Sequence, residues 1–296
     1  MISSFAQLVE QVRNRPRKHV VIAAAQEDEL RLAQAAIERG IANFTLIGDR
    51  QELEKLMQAS SFAAGTVLII DEQSHEAAAR KAVEMVTSGQ ADIPMKGLLH
   101  TGTFLKAVLD KTAGLASRQR ISQITIFEGV NDGLQLLTDC AINIKPSLEE
   151  KIAIINNAVF LAQQLGFQMP RVALLGAVET VIESMPDTLE SAVLTQMNRR
   201  GQIKGCLIDG PLSLDTAICP EAAARKGIDS PVAGKADILV ASELREANTL
   251  SKSLHYYANR STASVIIGTR SPIIMTSRTD DFYNKLNSIA AACMLR

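Results

Sequence analysis

The sequence has no tryptophan, and aromatic residues make up only 4% of its 296 positions. Histidine and cysteine are equally sparse, at four each. The cysteines (Cys140, Cys206, Cys219, Cys293) lie far apart with no C-x-x-C pair, and the histidines (His19, His75, His100, His255) fall in no metal-ligand spacing. Neither a zinc site nor a disulfide framework is indicated. A P-loop, a G-x-G-x-x-G turn after a strand and a G-x-S-x-G elbow are all missing. Those absences set aside the common nucleotide-hydrolysing, dinucleotide-binding and serine-hydrolase designs. A formal net charge of −1 offers no electrostatic handle for nucleic acid or a membrane surface. No apolar run is long enough to span a bilayer, and positions 1–18 read as a polar helical opening rather than a signal peptide. A soluble, cytoplasmic protein is the expectation.

What is present is Ala, Leu, Ile and Val, in a chain that is 47% apolar. That is the composition of helices packed on parallel strands. Strands alternate with helices almost throughout, beginning with a buried strand at 19–25, a helix from Glu27 to Arg39 closed by Gly40, and a strand at 44–48. Similar units follow: helix 50–58, strand 66–70, helix 74–88 stopped by Gly89, a strand end at 91–97 and a helix from about Thr101. Beyond them come strand 121–128, a stretch at 134–143, helix 148–165, strand 172–176, helix 187–199, strand 206–208, helix 217–226, strand 236–240 and helix 247–258. This rhythm predicts a parallel sheet with helices on both faces. Ala91-Asp92-Ile93 and Ala236-Asp237-Ile238 each precede a loop and a lysine-bearing helix (Lys106, Lys252), an echo that two similar α/β lobes would explain.

The stretch 264–281 organises the rest. Two β-branched apolar runs, 265–267 and 273–275, flank a Gly/Ser/Pro turn and predict strand, turn, strand. A polar tip from Ser277 to Asp281 follows, then Phe282, Leu286, Ile289, Ala290 and Cys293 at helical spacing to the chain end. Ser277 with Asp280 three residues on fits a helix N-terminus, where unpaired N–H groups favour anions and Arg278 adds a full charge. A plain capped helix with a surface arginine fits the same residues. Lys96, Thr101 and Lys106 sit where a strand end passes into a helix, the usual place for ligands in an open α/β sheet; a solvated lysine and a capping threonine account for them as well. Together with 139–145, 209–215 and 245–252, these polar loops suit a phosphorylated or otherwise anionic small molecule.

At these segments the sequence resembles the phosphate acetyl/butyryltransferase family, and its butyryl branch most closely. The stretches that carry the resemblance are MKGLLHTGTFLKAVLDK (95–111), LTDCAINIKPSLEEK (137–151), DGPLSLD (209–215), SPVAGKADILV (230–240) and IIGTRSPIIMTSRTDDFYNKLNSIA (266–290). The resemblance implies two α/β/α lobes with mainly parallel sheets around an interdomain cleft, as in isocitrate and isopropylmalate dehydrogenases. The first lobe is expected to hold 1–125 and 267–296, the second 126–266, with the active site between them. It also implies reversible acyl transfer between coenzyme A and inorganic phosphate, a homodimer or higher homo-oligomer, and no bound cofactor, coenzyme A being a substrate.

Residue by residue, the resemblance implies that Ser277 and Arg278 polarise the acyl carbonyl and bind phosphate. Lys106 stands where the acetyl branch carries arginine; as a point charge it holds phosphate without the bidentate fork. Cys140 and Asn143 are implied to line the site, Cys140 as a wall residue in a direct transfer with no acyl-cysteine. Lys96, Thr101, Asp209 and Asp215 are implied to serve substrate and phosphate, and Asn248, Arg270 and Asn287 to serve CoA. The acetyl branch has its proposed thiol base, an aspartate, seven residues after the serine, where this chain has Asn284. Asp280 is the replacement favoured here, with Asp281 and phosphate itself as alternatives, and N-terminal capping explains Asp280 equally well. Ala247 stands where the butyryl branch usually has glycine. A butyryl- or branched-chain-preferring transferase is the expectation. The alternatives are a non-catalytic descendant binding CoA or acyl phosphate, and a metal-dependent oxidative decarboxylase, for which the acidic residues are too scattered.

Overall fold

The computed structural model describes residues 1–60, 62, 65–130 and 133–295. The chain divides into two compact units, one of Ala6–Gln119 with Ala263–Arg296 and the other of Met1–Phe5 with Arg120–Thr262. The breaks at 119/120 and 262/263 differ from the expected 125/126 and 266/267. A boundary at 125 would cut a strand, Ser122–Glu128, whose residues 124–128 pair with 134–138 inside the second unit. The N-terminal residues belong there too, because Ile2 N–H donates to Leu165 O (2.9 Å).

In chain order the first unit holds α1 (Phe5–Arg13, all but its first residue), β1 (Lys18–Ala23), α2 (Glu27–Glu38), β2 (Ala42–Gly48), α3 (Arg50–Ala59), β3 (Leu68–Asp71), α4 (His75–Thr87), β4 (Ile93–Lys96) and α5 (Thr101–Val108). The strands run in the order β3-β2-β1-β4, all parallel. Val20, Val21 and Ile22 are buried on both faces of β1, which is why the strand reads as a continuous apolar run. Local chemistry sets the helix ends. Asp49 caps α3 by accepting from Gln51 and Glu52 N–H, and Gly40 follows α2 at φ +70°, where a side chain would be strained.

The second unit holds β5 (Ser122–Glu128), β6 (Leu134–Thr138), α6 (Leu148–Gln164), β7 (Arg171–Leu175), α7 (Pro186–Arg199), β8 (Leu207–Leu212), α8 (Leu214–Ile218), α9 (Pro220–Arg225), β9 (Ile238–Val240) and α10 (Leu244–Tyr256). Here β5-β6-β9-β7-β8 are neighbours, antiparallel only between β5 and β6. The helix expected over 217–226 is two short ones: Pro220, which cannot donate an N–H, opens α9 and ends α8.

The returning segment carries β10 (Thr262–Ile267) and α11 (Phe282–Met294). Two expectations fail in it. The run 273–275 makes no strand of its own; it forms single bridges, Ile273 to Ile266 and Ile274 to Met95, and Pro272 before it offers no N–H for a longer ladder. The helix starts at Phe282, capped by Asp281 (Asn284 N–H to Oδ1, 2.7 Å), not at Ser277. Ser277 to Asp280 is a separate turn, closed by Ser277 N–H donating to Asp280 Oδ2 (2.8 Å).

The echo in the sequence has a structural counterpart. Asp92 N–H donates to His19 O (2.8 Å) while its Oδ2 accepts from His19 N–H (2.7 Å). Asp237 makes the same reciprocal pair with Arg171, both bonds at 2.8 Å. In each unit the aspartate closes the open edge where two parallel strands begin. Among the described residues no helix is long and apolar enough to cross a membrane.

Candidate functional site

In the first unit, β4 ends at Lys96 and the chain passes into Gly97, whose Cα lies so near β1 that an added Cβ would sit 2.5 Å from Ala24 O. Only glycine allows this approach, and it turns the strand end over the start of α2. The bridge between Met95 and Ile274, with Lys96 N–H donating to Ile274 O (2.9 Å), brings the 276–278 segment alongside. The result is a cavity of about 260 Å³ lined by Lys96, Gly97, Leu98, Thr276, Ser277, Arg278, Lys285 and the first residues of α2.

Lys96 is 6% exposed, and its ammonium donates to Gly97 O (3.1 Å). Burial lowers its pKa from the ordinary lysine value, and the charges of Arg278 and Lys285 add to the effect while Glu29 and Asp280 oppose it. Ser277 Oγ lies 3.0 Å from Thr279 Oγ1 and accepts from Thr279 N–H (3.3 Å). Arg278 is exposed at the cavity mouth. Buried and exposed cations on one small cavity, with a serine hydroxyl beside them, are donors of the kind that phosphoryl and carboxylate oxygens accept from. Among the described residues no cluster of His, Cys, Asp or Glu is arranged to hold a metal ion.

The other lysine of this segment goes elsewhere. Lys106, exposed on α5, lines a separate cavity of about 800 Å³ with α4 residues including Arg80 and Thr87. Thr101 is the exposed first residue of α5. Arg270 is held against the 114–115 turn, its N–H donating to Leu115 O (3.0 Å) and its guanidinium to Gly114 O. Asn287 is half-buried on α11.

In the second unit, Asp139 is buried at the end of β6 and organises the loop that follows. Its carboxylate accepts N–H bonds from Gln123, Ala141, Ile142 and Asn143, and a further one from Asn143 Nδ2. Asn143 is thereby immobilised, donating also to Ile121 O and accepting from Arg120 Nε (2.6 Å). Asn248 Nδ2 donates to Cys140 O (3.1 Å), tying α10 to this loop. Burial pushes the Cys140 thiol up to about 12. At pH 8 it is therefore not a nucleophile. Cys140→Ser is expected to keep turnover within about threefold, and native protein treated with iodoacetamide at pH 8 should show no label at Cys140 by peptide mapping; labelling there, or loss of turnover in the variant, would reinstate a covalent role.

Asp209 is half-buried on β8, paired with Ala173. Asp215 belongs to a charged knot: Lys226 Nζ lies 2.8 Å from Glu179 Oε1 and 3.1 Å from Asp215 Oδ2, with Ser213 and Thr216 hydroxyls among them. Hydrogen bonds from Lys226 and Ser213 hold Glu179 at about 2, and bonds from Ser213 and Lys226 hold Asp215 at about 2. Glu179, Lys226, Asp139 and Lys285 escaped the sequence reading. Glu179, Lys226 and Lys285 sit in no spacing pattern because each faces its neighbours across elements, whereas most of the Asp139 bonds are local, to residues two to four positions on.

A cation-lined cavity at a parallel strand end of an α/β chain is the arrangement expected of a protein that handles an anionic small molecule. Residues 73–293 match the family described as "Phosphate acetyl/butaryl transferase". The chain is 41% identical over its full length to a phosphate butyryltransferase of Clostridium acetobutylicum, covering 99% of that protein. It is 38% identical to a phosphate acetyltransferase of Thermotoga maritima, across 97% of this chain and 98% of that one. Among solved structures, a branched-chain phosphotransacylase from Enterococcus faecalis superposes with a TM-score of 0.85 at 31% identity, over 94% of this chain and 98% of that one. The chain belongs to the phosphate acetyl/butaryl transferase family, and it is an acyltransferase of that family.

Proposed function

We propose that this chain transfers a short acyl group between coenzyme A and inorganic phosphate, with butyryl or branched chains preferred over acetyl. The observation that carries the reading is the meeting of Ser277 and Arg278 with the buried Lys96 in one cavity. In the CoA-acylating direction the thiol sulfur bonds to the carbonyl carbon of an acyl phosphate, and the bond from that carbon to the bridging oxygen breaks. Phosphate leaves with the bonding pair. Arg278 and Ser277 stabilise the charge that builds on the carbonyl oxygen, and Lys96 with Arg278 holds the phosphoryl oxygens. Asp280 takes the thiol proton, a role supported by its position one turn beyond Ser277, whose N–H it already accepts. Thr101 assists phosphate, Cys140, Asn143, Asp209 and Asp215 shape the substrate site, and Asn248, Arg270 and Asn287 serve CoA; the family resemblance supports these roles, while Lys106, which the resemblance also gave to phosphate, lines a separate cavity and has no part in this one. The same reading makes the protein a cytoplasmic homodimer or higher homo-oligomer.

The deciding assay is phosphate-dependent release of free thiol from acetyl-, propionyl-, butyryl- and isobutyryl-CoA. Release fastest with a four-carbon chain is the expected result. One methylene is worth only about 1–3 kcal/mol of discrimination, so a graded preference is expected rather than an absolute one. Fastest release from acetyl-CoA would overturn the chain-length assignment. No release from any of them, alongside measurable CoA binding, would leave a binding protein in place of an enzyme.

A further inference from the structure

Lys285 lines the same cavity as Lys96 and Arg278, yet nothing about a helix asks for a lysine there. It is the fourth residue of α11, near the positive end of the helix dipole, where a cation is disfavoured. Neither its ammonium nor the Arg278 guanidinium has a hydrogen-bond or ion-pair partner among the described residues. Acidic neighbours are present on α2 but are engaged locally: Glu29 accepts from Gln26 N–H (3.1 Å), and Glu27 lies 3.8 Å from Arg31. Asp28 is exposed on the same wall and forms no ion pair with either cation. Three cations thus line one cavity, with the Glu29 and Asp280 carboxylates near enough to favour the Lys96 charge, and the two cations that repel Lys96 are held by no hydrogen bond or ion pair among the described residues. Such an arrangement is relieved by a multiply charged anion seated among them. The register of α11 makes the choice of residue specific: with Asp281 as cap, Asn284 is 3% exposed in the packed face, and its neighbour Lys285 lies at the cavity.

We infer that Lys285 is a phosphate-binding residue of the acyl-transfer site, completing with Lys96 and Arg278 a three-cation receptor for inorganic phosphate and for the phosphoryl group of the acyl phosphate. The inference rests on the acyltransferase reading for its substrate and deepens it by naming a contact that neither the motifs nor the resemblance assigned.

The test compares wild type, Lys285→Ala and Lys285→Arg in phosphate-dependent thiol release at constant ionic strength. Lys285→Ala should raise the KM for phosphate about tenfold or more while the KM for acyl-CoA stays within about twofold, as loss of one charge-assisted contact predicts. Lys285→Arg should recover most of the phosphate affinity. An unchanged phosphate KM, or a rise confined to acyl-CoA, would overturn it. A second readout needs no turnover: millimolar inorganic phosphate should raise the thermal midpoint of wild type and do so much less in Lys285→Ala. If wild type releases no thiol yet shows this Lys285-dependent shift, the transferase reading fails and the phosphate site stands. Equal shifts in both proteins would remove Lys285 from the site whatever the activity.

Discussion

Arg278→Ala is expected to lower phosphate-dependent thiol release by about 10²–10³-fold, the usual cost of removing one donor aimed at a developing oxyanion. Arg278 is exposed and forms no ion pair or hydrogen bond among the described residues, so its loss leaves no buried group without a partner. Stability should therefore be unaffected, with a thermal midpoint within about 2 °C of wild type. Relief of repulsion on Lys96 works in the same direction, since Arg278 is the strongest charged neighbour disfavouring the Lys96 ammonium. Arg278→Lys restores the charge without the planar fork and should recover only part of the rate. Steady-state kinetics with the best acyl-CoA, run beside a melting curve, give both numbers. A variant that keeps a third or more of the wild-type rate would remove Arg278 from the machinery.

The second large effect is on the fold. Asp139→Ala should destabilise the protein by about 3–5 kcal/mol, since each buried donor left unpaired costs about 1–3 kcal/mol and the loop relaxes to satisfy some of them. The side chain is 5% exposed and accepts from four backbone N–H groups, so alanine leaves those donors buried and unpaired. Asn143 also loses the partner that fixes its amide at 2.5 Å. For a chain of 296 residues the thermal midpoint should fall by roughly 5–8 °C. Asp139→Asn keeps one acceptor oxygen but points an NH₂ at other donors, so it should fall between alanine and wild type. A drop under about 2 °C for the alanine variant would show that the loop finds other acceptors.

Most elements were legible because their causes are local. Gly40, Gly89 and Gly166 follow the helices they close, each at positive φ, and apolar strands such as 19–23 announce burial on both faces. Pro220 is equally visible, but the apolar spacing around it suggests one continuous helix, and only the missing N–H of the proline divides it in two. The turn at 277–280 misled for a different reason. Ser277 and Asp280 have the spacing of a helix start, and the real cap, Asp281, lies four residues on; both use the same side chain to backbone bonds.

The candidate site divides along the same line. Ser277, Arg278 and Lys96 could be singled out from their segments. That Lys96 meets Arg278 while Lys106, ten residues away, lines another cavity depends on the Met95–Ile274 bridge, which joins distant parts of the chain. The sequence by itself determined the alternation of strands and helices, most of the caps, and the family, because each rests on neighbours within a few positions or on ordered motifs. Only the tertiary structure decided which charges share a cavity and which are ion-paired, as Lys226 is with Glu179 and Asp215 while Arg278 and Lys285 form no ion pair among the described residues. Electrostatic energy depends on distance and burial, and neither is set along the chain.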